Sequence, residues 1–205
     1  MVTPSRSSAV PVTEAAAAPR LTASVSSAMP PAVASTSGIR YLADHVEAAM
    51  AAPMDEMVER MDVVFSVATA DRGLVPAEAR VASPQRYARH LLHADPQGRF
   101  TIVALVWGPR QFSPVHGHHT WCSYAVLGGR LTETTYAYDR GTGLASPLGS
   151  EVLSFGARRF EYAGLSAVHK LGNAEDNVAL SLHIYGIDGA RVGTHVNRLV
   201  QSTQH

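Results

Sequence analysis

Three histidines and the only cysteine of the chain lie within the stretch SPVHGHHTWC, residues 113–122. Alternate side chains of a β-strand project to the same face, so His116 and His118 would point to one side and His119 to the other. An imidazole pair that faces an apolar interior needs a partner for its nitrogen atoms, and a metal ion supplies one. The spacing therefore predicts that His116 and His118, and not His119, are metal ligands. A pair of surface histidines is the simpler alternative.

A third metal ligand would have to come from a distant part of the chain. His169, in SAVHKLG, is the first candidate because it lies in a strand-like run between turns. His183, in LSLHIYG, is the rival. It alternates with Ser181 and Tyr185 on one face of a strand, and this row predicts a chain of hydrogen bonds from hydroxyl to imidazole to phenol. A buried Ser–His pair without a catalytic role is the alternative interpretation.

Helices are predicted ahead of the segments that carry these side chains. Apolar residues recur at three- and four-residue steps over 41–49, and Pro53 then ends that pattern and opens a second helix. The second helix would carry a methionine-rich stripe, which we assign to core packing: Met54, Met57, Val58, Met61, Val64, Phe65 and Ala68. A third helix is predicted over 84–93, because three apolar residues fall on related faces of a helix: Tyr87, Leu91 and Leu92.

Short runs rich in β-branched and aromatic residues follow Gly98. The first run is RFTIVALVW, and TWCSYAVLGGRLTETTYAY has the pattern strand, Gly-Gly turn, strand that predicts a hairpin. The later runs are EVLSFG, RRFEYAG, SAVHKLG and NVALSLHIYG. Many short strands with turn signals between them predict a β-sandwich or barrel. The expected architecture is therefore mainly β, with a few α-helices followed by an antiparallel barrel.

The composition restricts the classes of function. Lys plus Arg and Asp plus Glu both total 17, so the formal net charge is zero and nothing favours a nucleic-acid partner. Ten histidines favour metal or acid–base chemistry. A single cysteine fits a reducing cytoplasm, and we find no membrane-spanning apolar run and no secretory signal. Residues 1–38 are predicted to be a disordered low-complexity tail, and residues 39–205 a single domain.

In chain order, the motifs resemble those of the thiol dioxygenases of the cupin superfamily, of which cysteine dioxygenase is the best-known member. The resemblance covers about residues 85–186 and the motifs Tyr-x-Arg, Trp-Gly, Pro-x-His-x-His, Gly-x-Leu-x-Glu-Thr, a later His and Ser-x-His-x-Tyr. It implies a cupin double-stranded β-helix, or jelly-roll, barrel. The interval from His118 to Gly129 is shorter than in the animal enzymes and is similar to the bacterial branch.

The resemblance implies an iron(II) site with three neutral imidazole ligands, His116, His118 and His169. Cupins in general place a glutamate ligand shortly after the second histidine, and Cys122 occupies that position here. Common non-haem iron sites use two histidines and a carboxylate, so this site would be one charge more positive, and an anionic thiolate substrate can supply the missing charge. The resemblance also implies a thioether crosslink between Cys122 and Tyr185, with two free side chains as the alternative.

The same resemblance assigns the remaining site residues. Arg89 would pair with the substrate carboxylate, a role that suits a planar guanidinium, and Tyr87 would line the pocket. Tyr185 would be the phenol beside dioxygen and the substrate, with Ser181 and His183 orienting it. Without the resemblance, Arg89 would be interpreted as a solvated arginine on a helix.

The expected function is an iron(II)-dependent thiol dioxygenase that oxidises L-cysteine with O2 to cysteine sulfinate, as a cytoplasmic monomer without a nucleic-acid or membrane partner. The resemblance associates arginine at position 89 with cysteine and glutamine with 3-mercaptopropionate, so Arg89 favours L-cysteine. A dioxygenase for 3-mercaptopropionate, mercaptosuccinate or another mercapto-acid is the alternative, and a cupin that binds a small ligand without catalysis is a third. No metal role is expected for His45, His90, His93, His119 and His195.

Overall fold

The computed structural model of the chain describes residues 37–203. Residues 1–36 of the predicted disordered tail lie outside the described residues. The first described helix begins at Ser37, and the domain boundary at residue 39 stays a prediction. Helices come first along the chain and pack against a barrel made of two β-sheets. None of the helices within 37–203 is long and apolar enough to cross a membrane.

Two α-helices, α1 (Ser37–Met50) and α2 (Met54–Ala70), precede the strands. Both were predicted, and a short 3₁₀ turn, Ala77–Arg80, follows them. The predicted stripe of α2 is buried at Met57, Met61, Val64, Phe65 and Ala68. It packs in one cluster with strand residues that include Ile102, Ala104, Leu182 and Ile184. Met57 and Met61 therefore belong to the core, as predicted, whereas Met54 at the start of α2 is exposed and the prediction for it is wrong.

Eleven strands lie within the described residues. They are β1 (Ala88–Ala94), β2 (Thr101–Trp107), β3 (His116–His118), β4 (Cys122–Gly128), β5 (Leu131–Tyr138), β6 (Leu144–Leu153), β7 (Arg158–Glu161), β8 (Gly164–Gly172), β9 (Ala179–Tyr185), β10 (Asn197–Leu199) and β11 (Gln201–Ser202). The first sheet has the order β1-β2-β9-β4-β7, and the second has the order β10-β3-β8-β5-β6-β11. Apolar side chains from both sheets form one cluster between them, which is the barrel interior.

Strand β2 shows why the first sheet is so apolar. All seven of its residues are buried, because one face packs against the helices and the other faces the barrel interior. Ile102 and Ala104 contribute to the helix-side cluster, whereas Val103, Leu105 and Trp107 contribute to the interior cluster. A strand covered on both faces reads as a continuous apolar run, which is how RFTIVALVW appears in the sequence.

The helix predicted over 84–93 is wrong, because this segment contains strand β1, which pairs antiparallel with β2. A register irregularity between Leu91 and His93 interrupts its alternation. Leu91 packs towards the barrel interior and Leu92 joins the helix-side cluster. Such a β-bulge breaks the two-residue period, and the remaining three- and four-residue spacing imitates a helix.

The hairpin predicted around the Gly-Gly turn is also wrong. The turn and both strands exist, and Gly129 has a positive φ of 67° that favours glycine. However, β4 already pairs with β9 on one side and β7 on the other. Strand β5 therefore leaves the first sheet and pairs with β6 and β8 in the second. The Gly-Gly turn connects the two sheets.

The C-terminal strands close the second sheet. Strand β10 pairs antiparallel with β3 at one edge, and β11 pairs in parallel with β6 at the other edge. Because only Val200 separates β10 from β11, the two edges of this sheet lie close together and the sheet is strongly curved. The strand that carries His116 and His118 is thus held between β8 and β10.

A charged cluster fixes α1 to the turn between β1 and β2. The Arg99 guanidinium donates to both carboxylate oxygens of Asp95 at 2.8 and 2.9 Å and to Glu47 of α1 at 2.9 Å. The backbone N–H of Arg99 also donates to Asp95 at 2.9 Å. The hydrogen bonds that the Asp95 carboxylate accepts from the Arg99 side chain are the main cause that lowers the pKa of Asp95 to about 2.

Candidate active site

The structure brings the three predicted ligands together in the barrel interior. His116 and His118 lie on β3, and His116 is the register partner of His169 on β8. One ring nitrogen of each histidine lies within 4.8 Å of the others, and all three side chains are buried. His119 lies just after the end of β3 and is exposed.

The nitrogen atoms of these rings test whether a metal ion fits the site. His116 Nδ1 donates to the carbonyl oxygen of Pro114 at 2.9 Å. His118 Nδ1 and His169 Nε2 are buried and have no hydrogen-bond partner within residues 37–203. Buried polar atoms are rarely left without a partner, so a bound cation would satisfy them. Three imidazoles are ligands that suit first-row transition metals, iron among them.

Burial keeps His116 and His118 neutral and therefore ready for a metal. Desolvation is the main cause that lowers the pKa of His116 well below its ordinary value, and the neighbouring His169 and His118 add to it. The same causes, burial first and then His169, lower the pKa of His118 to about 3. A neutral imidazole offers a lone pair, whereas an imidazolium does not. His116 and His118 therefore need not lose a proton before a cation binds.

A buried carboxylate lies behind His169, and the sequence interpretation missed it. Glu133 on β5 accepts hydrogen bonds from His169 Nδ1 at 2.6 Å and from the Tyr124 hydroxyl at 2.7 Å. It also accepts from Arg159 Nε at 3.2 Å. Burial is the largest influence and would raise the pKa of Glu133, but the bonds from His169 and Tyr124 and the charge of Arg159 outweigh it and lower that pKa.

The predicted row on β9 is a continuous chain of hydrogen bonds. The Ser181 hydroxyl lies 2.8 Å from His183 Nε2, and the Tyr185 hydroxyl lies 3.2 Å from His183 Nδ1. Trp107 Nε1, which had not been assigned a role, donates to Ser181 Oγ at 2.9 Å. Both ring nitrogens of His183 therefore have protein partners. This favours His169 over the rival His183 as the third ligand.

Cys122 and Tyr185 face each other across neighbouring strands. They are register partners of β4 and β9, and the thiol lies 4.0 Å from His183 Nδ1. Desolvation, followed by the charges of Glu161 and Glu133, raises the pKa of the Cys122 thiol. Desolvation, followed by Cys122, raises the pKa of the Tyr185 phenol. Both groups therefore keep their protons, and Cys122 does not replace the missing carboxylate as an anion.

Arg89 on β1 and Tyr87 just before it lie at the same cavity, and neither is on the predicted helix. Arg89 Nη2 donates to the Tyr87 hydroxyl at 2.9 Å, and Tyr87 stacks on Trp107 with ring centroids 4.5 Å apart. Arg89 Nε is buried and has no partner within the described residues. A guanidinium held in this way can donate hydrogen bonds to an anionic ligand. Leu105, Ser113, Leu171 and Asn197, which the sequence interpretation did not single out, complete the wall.

The histidines expected to have no metal role lie outside the three-histidine group. His45 and His90 contact backbone carbonyl oxygens at 2.9 Å each. His93 stacks on Phe100, and His195 contacts the Thr194 hydroxyl. These contacts belong to the protein surface and to packing.

One protein family matches the sequence of this chain, and several solved structures are similar to it. The sequence model of the family described as "Cysteine dioxygenase type I" matches residues 39–188. The chain is similar to the solved structure of TT1209 from Thermus thermophilus, with 20% identity, a TM-score of 0.43 and coverage of 54% of this chain and 91% of that chain. It is also similar to an uncharacterized conserved protein with a double-stranded β-helix domain from Klebsiella pneumoniae subsp. pneumoniae MGH 78578, with 18% identity, a TM-score of 0.41 and coverage of 55% and 87%. The family match and the two-sheet topology confirm the predicted cupin double-stranded β-helix barrel, preceded by α-helices.

Proposed function

Since this chain belongs to the cysteine dioxygenase type I family, we propose that it is an iron(II)-dependent thiol dioxygenase that oxidises L-cysteine with O2 to cysteine sulfinate. One observation carries the proposal. Three buried nitrogen atoms have no hydrogen-bond partner among residues 37–203: His118 Nδ1, His169 Nε2 and Arg89 Nε. The three residues line the same cavity. The first two suit a cation and the third suits an anion. A thiol that carries a carboxylate can engage both a metal and Arg89.

The reaction that we propose is balanced without a further reductant. A thiol R–SH and O2 give the sulfinic acid R–SO2H, so sulfur is oxidised and both oxygen atoms are transferred to it. The residues that would hold the metal are His116, His118 and His169. When bound, iron(II) would supply the redox-active centre at which the thiol and dioxygen react. Because Cys122 stays protonated in its buried position, the substrate thiolate would supply the negative charge.

Arg89 would recognise the substrate carboxylate. A guanidinium can donate two parallel hydrogen bonds to a carboxylate, which fixes both position and orientation. Tyr87 accepts one N–H of Arg89 and is itself stacked on the buried Trp107. These contacts limit the freedom of the guanidinium before a substrate arrives, so less entropy is lost on binding.

Tyr185 would present a proton to the substrate side of the cavity. Trp107 Nε1 donates to Ser181 Oγ, which leaves the serine proton free to be donated to His183 Nε2. Burial lowers the pKa of His183 and keeps it neutral, so His183 Nδ1 then carries the remaining proton and donates to the Tyr185 oxygen. The Tyr185 proton is thereby directed away from His183 and into the cavity.

Oxygen consumption with a panel of thiols tests the proposal. We expect the highest kcat/KM for L-cysteine, with lower values for 3-mercaptopropionate and mercaptosuccinate. His169→Ala should abolish iron binding or turnover because it removes one ligand. Oxygen consumption that His169→Ala did not reduce would exclude the assigned ligands. If no thiol of the panel supported oxygen consumption by iron-loaded protein, the chain would instead be a cupin that binds a ligand without catalysis.

Arg89→Gln tests the choice among thiols. Loss of a charge-assisted hydrogen-bond pair costs about 1.5–3 kcal/mol, so kcat/KM for L-cysteine should fall roughly 10- to 100-fold. The preference should move towards 3-mercaptopropionate. Arg86→Gln, at an exposed position near Arg89, is the matched control and should leave the preference unchanged. An unchanged kcat/KM for L-cysteine in Arg89→Gln would show that Arg89 does not recognise the carboxylate.

Three further parts of the proposal concern the whole protein. The cross-strand pairing of Cys122 with Tyr185 supports the thioether, and a peptide map of active enzyme that contained only the free side chains would exclude it. The buried position of the only cysteine supports a reducing cytoplasm as the compartment. We also propose that the enzyme is a monomer that takes part in cysteine catabolism, with only the thiol and O2 as partners.

A further inference from the structure

Glu133 is a charged residue in the interior of the barrel, with only 2% of its surface exposed. Its carboxylate is held on both oxygen atoms. One oxygen accepts from His169 and Tyr124, at 2.6 and 2.7 Å, and the other accepts from Arg159 at 3.2 Å. A buried charge is stable only when hydrogen bonds and charges compensate for its lost hydration. Such a group has a defined position, because three partners from different strands determine it.

The three candidate ligands differ in what holds their rings. His116 donates to a backbone carbonyl at 2.9 Å, and His118 Nδ1 has no partner among residues 37–203. His169 alone of the three donates to a carboxylate, at 2.6 Å. Hydrogen bonds to ionised acceptors are shorter and roughly twice as strong as neutral ones. A carboxylate behind a histidine ligand fixes the ring and raises the basicity of its other nitrogen.

The remaining nitrogen of His169 agrees with this assignment. With the proton held on Nδ1 by Glu133, Nε2 carries the lone pair. Nε2 is the atom that is buried without a partner in the described part of the chain, and His169 offers one ring nitrogen to the group of nitrogen atoms that converge within 4.8 Å. The hydrogen bond to Glu133 therefore selects the tautomer that a metal ion requires.

We propose that Glu133 is a positioning residue for the metal site, which makes His169 the most strongly electron-donating of the three histidine ligands. The inference rests on the proposed metal site of this chain. It goes further than that site because it concerns negative charge. Common two-histidine iron sites obtain a negative charge from a carboxylate that is itself a metal ligand. In this chain that charge lies one hydrogen bond behind a ligand.

Arg159 does not cancel this charge. Its guanidinium also pairs with Glu151, so one cation is shared between two carboxylates. Arg159 and Glu151 are 32% and 54% exposed, and solvent screens charges in such positions. The side of the cluster that faces His169 is buried and unscreened. The net effect of the cluster at His169 is therefore that of an anion.

Binding of Co²⁺ to the metal-free full-length protein tests the inference without relying on turnover. The d–d absorption band of Co²⁺ reports both the dissociation constant and the ligand environment. Glu133→Gln keeps the shape and one acceptor oxygen but removes the charge. Loss of a carboxylate behind a ligand typically weakens metal binding roughly 10- to 100-fold. We expect a Kd for Co²⁺ raised by this factor and a displaced absorption band.

Glu151→Gln is the matched control, because it is the same substitution on the other partner of Arg159 and does not contact His169. Its Kd should stay within about twofold of the wild-type value, since exposed ion pairs contribute little. The thermal midpoint of each metal-free variant separates a structural role from a positioning role. A Glu133→Gln variant with an unchanged Kd and only a lower midpoint would overturn the inference.

Two other outcomes are also decisive. If Glu133→Gln does not fold, Tyr124→Phe replaces it, because it frees the carboxylate oxygen that His169 uses and leaves the charge in place. The acceptor strength of that oxygen then goes to His169 alone, so the Kd for Co²⁺ should fall, and an unchanged or raised Kd would refute the inference. A wild-type protein that bound no Co²⁺ would refute the proposed metal site itself, and the inference with it. If wild type and Glu151→Gln bind Co²⁺ and only Glu133→Gln binds it weakly, the inference is supported and the proposed function is unaffected.

Discussion

Replacing Glu161 by glutamine should make the metal-free protein more stable at alkaline pH. Glu161 is partly buried on β7, and its carboxylate lies within 4.8 Å of the nearest ligand atoms of Glu133 and His169. Burial, the largest cause, and the charge of Glu133 raise its pKa from 4.5 to about 7, although His169 and Arg159 act in the opposite direction. At neutral pH and above, the folded protein therefore holds an unfavourable charge.

The sign and size of the effect follow from linkage. The folded state binds this proton more tightly than the unfolded chain, so the contribution of Glu161 to stability is complete below about pH 4.5. It is lost as the pH rises through about 7. A shift from 4.5 to about 7 corresponds to at most about 3.4 kcal/mol at 1.36 kcal/mol per unit. Partial exposure to solvent screens the charge, and we expect about 2 kcal/mol.

Urea unfolding of metal-free protein at about pH 5 and about pH 8.5 measures this difference. Glu161→Gln should unfold at a higher urea concentration than wild type at the alkaline pH and show a much smaller advantage at the acidic pH. Glu175→Gln, which removes a carboxylate from the exposed pair with Arg130, should keep the pH dependence of wild type. A parallel pH dependence of wild type and Glu161→Gln would refute the assignment of the raised pKa to this carboxyl group.

Two other substitutions test the strand that carries the ligands and the charged cluster on α1. A Cβ on Gly117 would clash with the backbone carbonyl oxygen of Gly164. Gly117→Ala should therefore lower the free energy of unfolding in urea by about 1–3 kcal/mol and weaken Co²⁺ binding. Wild-type values of both would contradict the close packing of β3 on β8. Asp95→Asn should lower stability by about 1–2 kcal/mol at neutral pH, because the carboxylate pairs with the partly exposed Arg99. Because the pKa of Asp95 is lowered, this contribution is present above pH 3.8 and is lost as the pH falls through about 2. The difference in stability between variant and wild type should therefore disappear in acid. A difference that persisted there would contradict the pairing.

Local geometry explains which parts of the site could be predicted from the sequence. The alternation of side chains on a strand is a property of the backbone, so His116 and His118 could be placed on one face and His119 on the other. The same alternation placed Ser181, His183 and Tyr185 in a row. The choice between His169 and His183 could not be made locally, because it depends on which distant strand pairs with β3, and His169 on β8 is the register partner of His116.

The errors have equally local causes. The β1 segment resembles a helix because Tyr87 and Leu91, which share the barrel side, are four residues apart, a spacing that a strand and a helix have in common. The Gly-Gly turn looked like a hairpin because sequence does not show that both edges of β4 are already occupied. Glu133 was missed because an acidic residue on a strand is usually assigned to the solvent face.

The position of negative charge determines what this site can bind. Cys122 stands where many cupins have a ligand carboxylate, and its buried thiol is neutral. Glu133 is anionic but contacts His169 and not the position where the nitrogen atoms converge. The protein thus strengthens one ligand with a carboxylate while it leaves the cavity itself without an anion. Arg89 adds a positive charge to the wall. A ligand that carries both a thiolate and a carboxylate would be complementary to both features, and a neutral thiol would satisfy neither.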